Sequence, residues 1–184
     1  MLDIVSEELE TGPEFVDTTF LEPAAGDGNF LIAILGRKLA AVEARLPSQV
    51  WERESLFALA SIYGIELLED NHADAQATML HLFLAWHRQH GTSVGERTNL
   101  YRAAEFLIEA NIRRGNTLNG KEPDGSEIKF SWWHRTPDNL VIREPFTFRS
   151  LRASPPVVDL FAASIESVVY APCRIDGVFA EEAP

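Results

Sequence analysis

The chain has 184 residues, with 28 Asp and Glu against 16 Lys and Arg, a formal charge of −12 and a hydrophobic share of 46%. That length suits one domain with a sizeable core, and the apolar share excludes a disordered or low-complexity chain. No apolar run approaches the ~18–20 residues of a membrane span, the start is acidic, and one cysteine, Cys173, excludes an internal disulfide framework.

Residues 2–10 read as a short helix stopped by Thr11-Gly12-Pro13. Thr18 to Pro23 is a β-branched and aromatic run, a strand that leads into a glycine turn. From Asn29 the apolar residues Phe30, Leu31, Ile34, Leu35, Leu39, Val42 and Leu46 recur at helical intervals until Pro47. A second short helix is expected over 50–60. Ser61 to Leu68 is apolar almost throughout, the mark of a strand covered on both faces. Asp70-Asn71 offers an N-cap for a helix over 71–90, and residues 96–110 form another. Asn111 to Leu118 is the third strand. Strands alternating with helices predict an α/β fold, a Rossmann-like parallel sheet with helices on both faces, over residues 1–118. An antiparallel β-hairpin follows in 119–152, its strands at 128–133 and 139–148 and Pro137 in its turn. The segment 153–184 has an apolar, helix-compatible stretch to Tyr170 and a frayed end.

The charge is uneven. Residues 111–152 carry 8 basic and 5 acidic groups, whereas 1–60 carry 4 and 11. The basic stretch also holds Phe130, Trp132, Trp133, His134, Phe146 and Phe148. Strand alternation puts Lys129, Ser131 and Trp133 on one face, with Phe130 and Trp132 packed inward. Lys129, Trp133, Arg135 and Arg143 are therefore the candidate contacts to a nucleic-acid strand or a protein partner, with a self-packed hairpin as the plain alternative. The acidic total argues against a freestanding DNA binder.

The segment FLEPAAGDGNF (20–30) ends a strand, turns through two glycines and opens a helix. Such a turn presents free backbone N–H groups, and Gly26 and Gly28 let the backbone come close to a ligand. It is not the dinucleotide fingerprint, because the third glycine is missing. In open parallel sheets ligands bind beyond the carboxyl ends of the strands, where Asp27, Glu66 and Asn116 fall. With strands ~4.8 Å apart, the three would span about the width of an adenosine.

These residues resemble motif I of the class I S-adenosylmethionine-dependent methyltransferases, and most closely the DNA adenine-N6 methylases of restriction–modification systems, which read roughly D-P-A-C-G-S-G-N-F-L. Glu22, Pro23, Ala24, Gly26, Gly28, Asn29 and Phe30 fall on that pattern, with Asp27 in the serine slot. SIYGIELLEDN (61–71) resembles motif II, which makes Glu66 the acceptor of the cofactor's ribose hydroxyls and Leu67 its neighbour. NIRRGNTL (111–118) resembles motif III, with Asn116 where an aspartate usually lies near the adenine. The resemblance implies S-adenosylmethionine as cofactor and DNA as partner, with help from another chain or domain.

One part of the pattern is absent. The family's (D/N/S)-P-P-(Y/F/W) tetrapeptide, which orients the target amine and stacks the base, occurs nowhere in the 184 residues. Ser154-Pro155-Pro156 comes closest, but Val157 cannot stack, so no catalytic residue is assigned. Three functional readings follow: an adenine-N6 methyltransferase family member in truncated or compact form, an inactive cofactor-binding subunit or pseudoenzyme, and an acidic mimic of DNA. The five histidines show no metal-binding pattern, so no metal is expected. A cytoplasmic protein with no membrane contact is the expectation for location.

Overall fold

Strand β2 (Ile62–Glu66) is buried at every position and lies between β1 (Phe20–Glu22) and β3 (Ile112–Arg114), parallel to both. The structure, a computed structural model, describes residues 2–152 and 170–180. The register pairs Phe20 with Ile62 and Glu22 with Gly64 on one side of β2, and Gly64 with Ile112 and Glu66 with Arg114 on the other. The apolar run of β2 is thus explained by its central place.

Between β1 and β2 run α1 (Asn29–Arg45) and α2 (Trp51–Ala60); between β2 and β3 run α3 (Glu69–Gln89) and α4 (Asn99–Asn111). Helix α1 buries Leu31, Ile34, Leu35, Leu39 and Val42, the positions that its sequence period selects. It stops at Arg45 because Pro47 cannot continue it. Thr98 caps α4 by accepting from the Tyr101 N–H at 3.3 Å. Together these elements form an α/β domain core with a three-stranded parallel sheet.

A separate antiparallel sheet follows, β4 (Lys129–Arg135) with β5 (Val141–Thr147), in register from Lys129–Thr147 to Arg135–Val141. Its turn holds Pro137, and Asn139 adopts φ 58°. The hairpin packs against Tyr63, which strand alternation places on the face of β2 opposite Gly64 and α1. The Tyr63 ring lies edge-on to Phe130 at 5.4 Å, and its hydroxyl donates to the Ser131 carbonyl at 2.7 Å. Trp132 and Phe146 stack at 4.3 Å.

Several expected boundaries shift. Residues 2–10 are not an α-helix but a 3-10 turn (Leu2–Val5) and a π-helical turn (Glu7–Thr11). Helix α3 begins at Glu69, with Leu68 at the cap position and no side-chain cap, so Asp70-Asn71 lies inside the helix. The third strand is three residues long, because Asn111 still belongs to α4 and the chain turns after Arg114, where the Gly120 N–H donates to the Asn116 carbonyl at 2.8 Å; Asn111 itself is well placed. Its buried side chain donates to the Ala60 carbonyl at 2.8 Å and accepts from the Trp133 indole at 2.9 Å. The end is not frayed over Ile175–Ala180, a 3-10 helix whose Ile175 and Val178 are buried. The expected helical stretch before Tyr170, and Ser154-Pro155-Pro156, lie outside the described residues.

Among the described residues no helix is long and apolar enough to cross a membrane, and no His, Cys, Asp and Glu group could hold a metal ion.

Candidate functional site

Beyond the carboxyl ends of β1, β2 and β3, three loops are tied to one another. The Glu66 carboxylate, 8% exposed, accepts from the Gly26 N–H at 2.8 Å and from the Leu68 N–H at 2.9 Å. The Ala25 N–H donates to the Ile65 carbonyl at 2.9 Å and the Gly115 N–H to the Glu66 carbonyl at 2.8 Å. The Thr117 hydroxyl closes the ring by donating to the Pro23 carbonyl at 2.5 Å. Three separate stretches, 20–30, 61–68 and 111–118, are therefore one surface.

The two glycines of the turn do different work. Gly26 has φ +57° and nothing within 4 Å of where a Cβ would sit, so its side faces open space. Gly28 has φ +90°, but a Cβ there would lie 2.9 Å from the Ala75 Cα in α3. Gly28 admits the neighbouring helix, which corrects the expectation that both glycines face a ligand. Helix α1 opens at Gly28 without a side-chain cap, so its first N–H groups are not consumed by a capping residue.

The remaining expected residues fall around this centre. Pro23, Ala24, Asp27 and Asn29 are exposed, Phe30 is half-buried against the core, and Glu22 accepts from the Ala24 N–H at 3.0 Å. Asp27 accepts from the Asn29 side-chain amide at 2.6 Å, which orders the turn. Leu67 is 56% exposed, so more than half of its apolar surface faces away from the core. Asn116 is half-buried and serves its own turn: its side-chain oxygen accepts from the Leu118 N–H at 2.9 Å and its backbone N–H donates to Lys121 at 2.8 Å. Thr117 was not legible as a site residue, since its partner is 94 positions away and no local pattern marks it.

The expected partner face is rearranged. Trp133 lies beside Arg143, whose guanidinium is 5.5 Å from its ring centre, but it does not project to solvent: it is 9% exposed, and its indole N–H is spent on Asn111. Arg135 is not free for a partner either. It makes two hydrogen bonds to Glu54, at 3.1 and 2.8 Å, pairs with Asp17 at 3.1 Å and lies 3.7 Å from the centre of the Phe57 ring. Burial raises the Asp17 pKa against the lowering pull of Arg135. Lys129 is exposed and Arg143 half-buried, and both stay on the hairpin face named from the sequence.

Two buried basic side chains lie away from these loops and are fully used. The Lys38 ammonium donates to the Val16 and Thr18 carbonyls and to the Ser61 hydroxyl, at 3.0, 2.7 and 2.6 Å. His87 shares a 2.9 Å hydrogen bond with the Ser55 hydroxyl, and burial pushes it down to about 4, so it is neutral at pH 7.

No family model, curated protein or solved structure matches this chain.

Proposed function

We propose that this protein binds S-adenosylmethionine and belongs to the DNA adenine-N6 methyltransferase group that its sequence resembles, with a Rossmann-like sheet as the scaffold. One arrangement carries the reading: a carboxylate at the end of the central strand, held between a left-handed glycine with an open side and an exposed leucine. The fit to the cofactor is good. Each Glu66 oxygen accepts one backbone N–H, and a carboxylate has about four lone-pair sites, so two ribose hydroxyls can still be accepted. A purine ring would cover the apolar surface of Leu67, and the open side of Gly26 admits a chain that a Cβ would obstruct. When bound, the cofactor supplies an activated methyl group on sulfonium.

The target side is less complete. No segment of the chain completes the tetrapeptide that aims a target amine, Ser154-Pro155-Pro156 being followed by Val157 in place of an aromatic, so on this reading the groups that perform transfer to DNA come from a partner. That absence favours a second reading within the same site, a cofactor-binding subunit or pseudoenzyme that acts with a partner. The DNA-mimic reading has less support, because Glu10, Asp17, Glu54, Glu69 and Glu122 are each paired with an arginine instead of forming an open acidic face.

Titration calorimetry with S-adenosylmethionine and its demethylated product tests the site. Binding at micromolar to sub-millimolar cofactor is expected; no heat at millimolar cofactor removes the assignment. Labelled-methyl transfer to unmodified duplex DNA then separates the two readings. The pure chain is expected to show none, and robust incorporation would establish an active methylase and return attention to Ser154-Pro155-Pro156.

A further inference from the structure

In an antiparallel ladder the two residues of a pair either bond to each other or both turn their N–H and C=O groups outward. Val141 exchanges both of its backbone bonds with Cys173, at 2.8 and 3.0 Å, and the Arg143 carbonyl accepts from the Tyr170 N–H at 3.0 Å. Their opposite residues on β4, Arg135 and Trp133, therefore turn their own main-chain groups to the outer edge of that strand. The same parity reaches Ser131, whose carbonyl accepts from the Tyr63 hydroxyl.

The two edges of the hairpin are finished differently. Tyr170 and Cys173 cover the edge of β5, and its next outward position is Pro145, which has no N–H to offer. On β4, no described residue pairs with the N–H of Ser131 or with the N–H and C=O groups of Trp133 and Arg135. Ser131 and Trp133 are buried, a setting in which unpaired ladder groups are uncommon.

A cleft of about 440 Å³ adjoins this edge. Four consecutive residues, Trp132 to Arg135, line it and no residue of β5 does, so it lies beside β4 and not over one face of the hairpin. Phe57 and Tyr63 add aromatic surface, and Glu14 and Asp17 add carboxylates. Asp17 shares Arg135 with Glu54, and no described residue pairs with the exposed carboxylate of Glu14.

We propose that the outer edge of β4 takes an extended, basic peptide segment of a partner protein as one more strand of the hairpin sheet. The open main-chain groups bond the added strand, and alternate side chains of that strand meet the carboxylates and the aromatic surface. Residues 153–169 of this chain contain no Lys, Arg or His and so lack the complementary charge. The inference stands on the hairpin edge and does not depend on the cofactor site.

The test uses the full chain and a short, end-blocked, fluorescein-labelled peptide of alternating lysine and valine. Residue-resolved amide exchange should find Trp133 and Arg135 fast in the free protein, with Trp132 and His134, bonded to β5, slow. The peptide should bind at low salt by anisotropy and slow the exchange of Trp133 and Arg135. A peptide of the same charge with an N-methylated backbone should not bind, which separates strand addition from charge attraction. Glu14→Lys should weaken binding at least about threefold with an unchanged melting temperature. The proposal is overturned if the peptide does not bind, or if its N-methylated form binds as well. It is also overturned if Trp133 and Arg135 are already protected in the free protein. Protection at every concentration would assign the edge to this chain's own residues, and protection that grows with concentration would assign it to a second copy.

Discussion

The Glu66 carboxylate accepts a hydrogen bond from the backbone N–H of Gly26 at 2.8 Å, across 40 residues of sequence. The residue expected to hold the ribose also holds the loop that would flank the cofactor, so its two roles must be separated experimentally. Glu66→Ala removes both: cofactor affinity is expected to fall about 10- to 100-fold, with stability lower by about 1–3 kcal/mol. Glu66→Gln keeps one acceptor for the loop and places a donor at the other position, so it should retain more stability than affinity. Calorimetry and denaturant melts on both variants decide this. Equal losses in both quantities would make Glu66 a loop anchor only.

The two glycines of the turn provide the complementary test. Gly28→Ala places a Cβ 2.9 Å from backbone of α3 at φ +90°, so it should cost about 2–4 kcal/mol and show first in thermal melts. Gly26→Ala meets nothing within 4 Å at φ +57° and should cost only about 1–2 kcal/mol, the left-handed penalty. Cofactor binding should reverse that order, with Gly26→Ala the more harmful per unit of stability lost. A Gly26→Ala protein that binds the cofactor as tightly as wild type would show that its open side faces solvent alone.

How much of this was legible depends on the range of the interactions. Strand β2 and helices α1 to α4 are readable because periodicity and apolar runs are local consequences of burial. The turn at 24–28 is readable because only glycine adopts its left-handed backbone cheaply. The fate of Trp133 is not. Alternation assigns its face correctly, but only packing shows that α4, 22 residues earlier, covers that end. Arg135 looks like a surface cation in a basic stretch, yet its partners Glu54 and Asp17 are 81 and 118 positions away. In the site, Glu66 is marked by its motif, whereas the Thr117 link to Pro23 has no sequence mark at all.

Arg135 thus belongs to the scaffold, with a measurable consequence. Glu54 is 7% exposed at its side chain, and removing Arg135 leaves it with Arg53 as its ion-pair partner among the described residues. Arg135→Met should destabilise by about 2–4 kcal/mol, less than for a buried charge left wholly alone. Arg135→Glu should prevent folding or lower the midpoint further, since it sets a third carboxylate against Glu54 and Asp17. Lys129→Glu, exposed and outside this network, should leave the midpoint within experimental error. An Arg135→Glu protein as stable as wild type would contradict the network.

Lys38 is fully buried, and its ammonium meets three oxygens, the Val16 and Thr18 carbonyls and the Ser61 hydroxyl. Burial pushes its pKa from 10.5 down to about 7, with the charge of Asp17 pulling the other way. The folded pKa is thus below the unfolded one, so between about 7 and about 10.5 the unfolded chain binds the extra proton. Stability from this group therefore rises as pH rises through that window, and is lowest below it, where the buried site must carry the charge. Lys38→Met removes the titration and leaves the two carbonyls without this donor, costing ~1–3 kcal/mol. Urea unfolding of both proteins at about pH 6 and about pH 9 measures the effect, because groups that titrate in both proteins cancel in the difference. Wild type should exceed Lys38→Met by a larger margin at the higher pH. A margin that stays constant or shrinks would mean that the three oxygens hold Lys38 charged throughout, with the ammonium fully compensated inside the core.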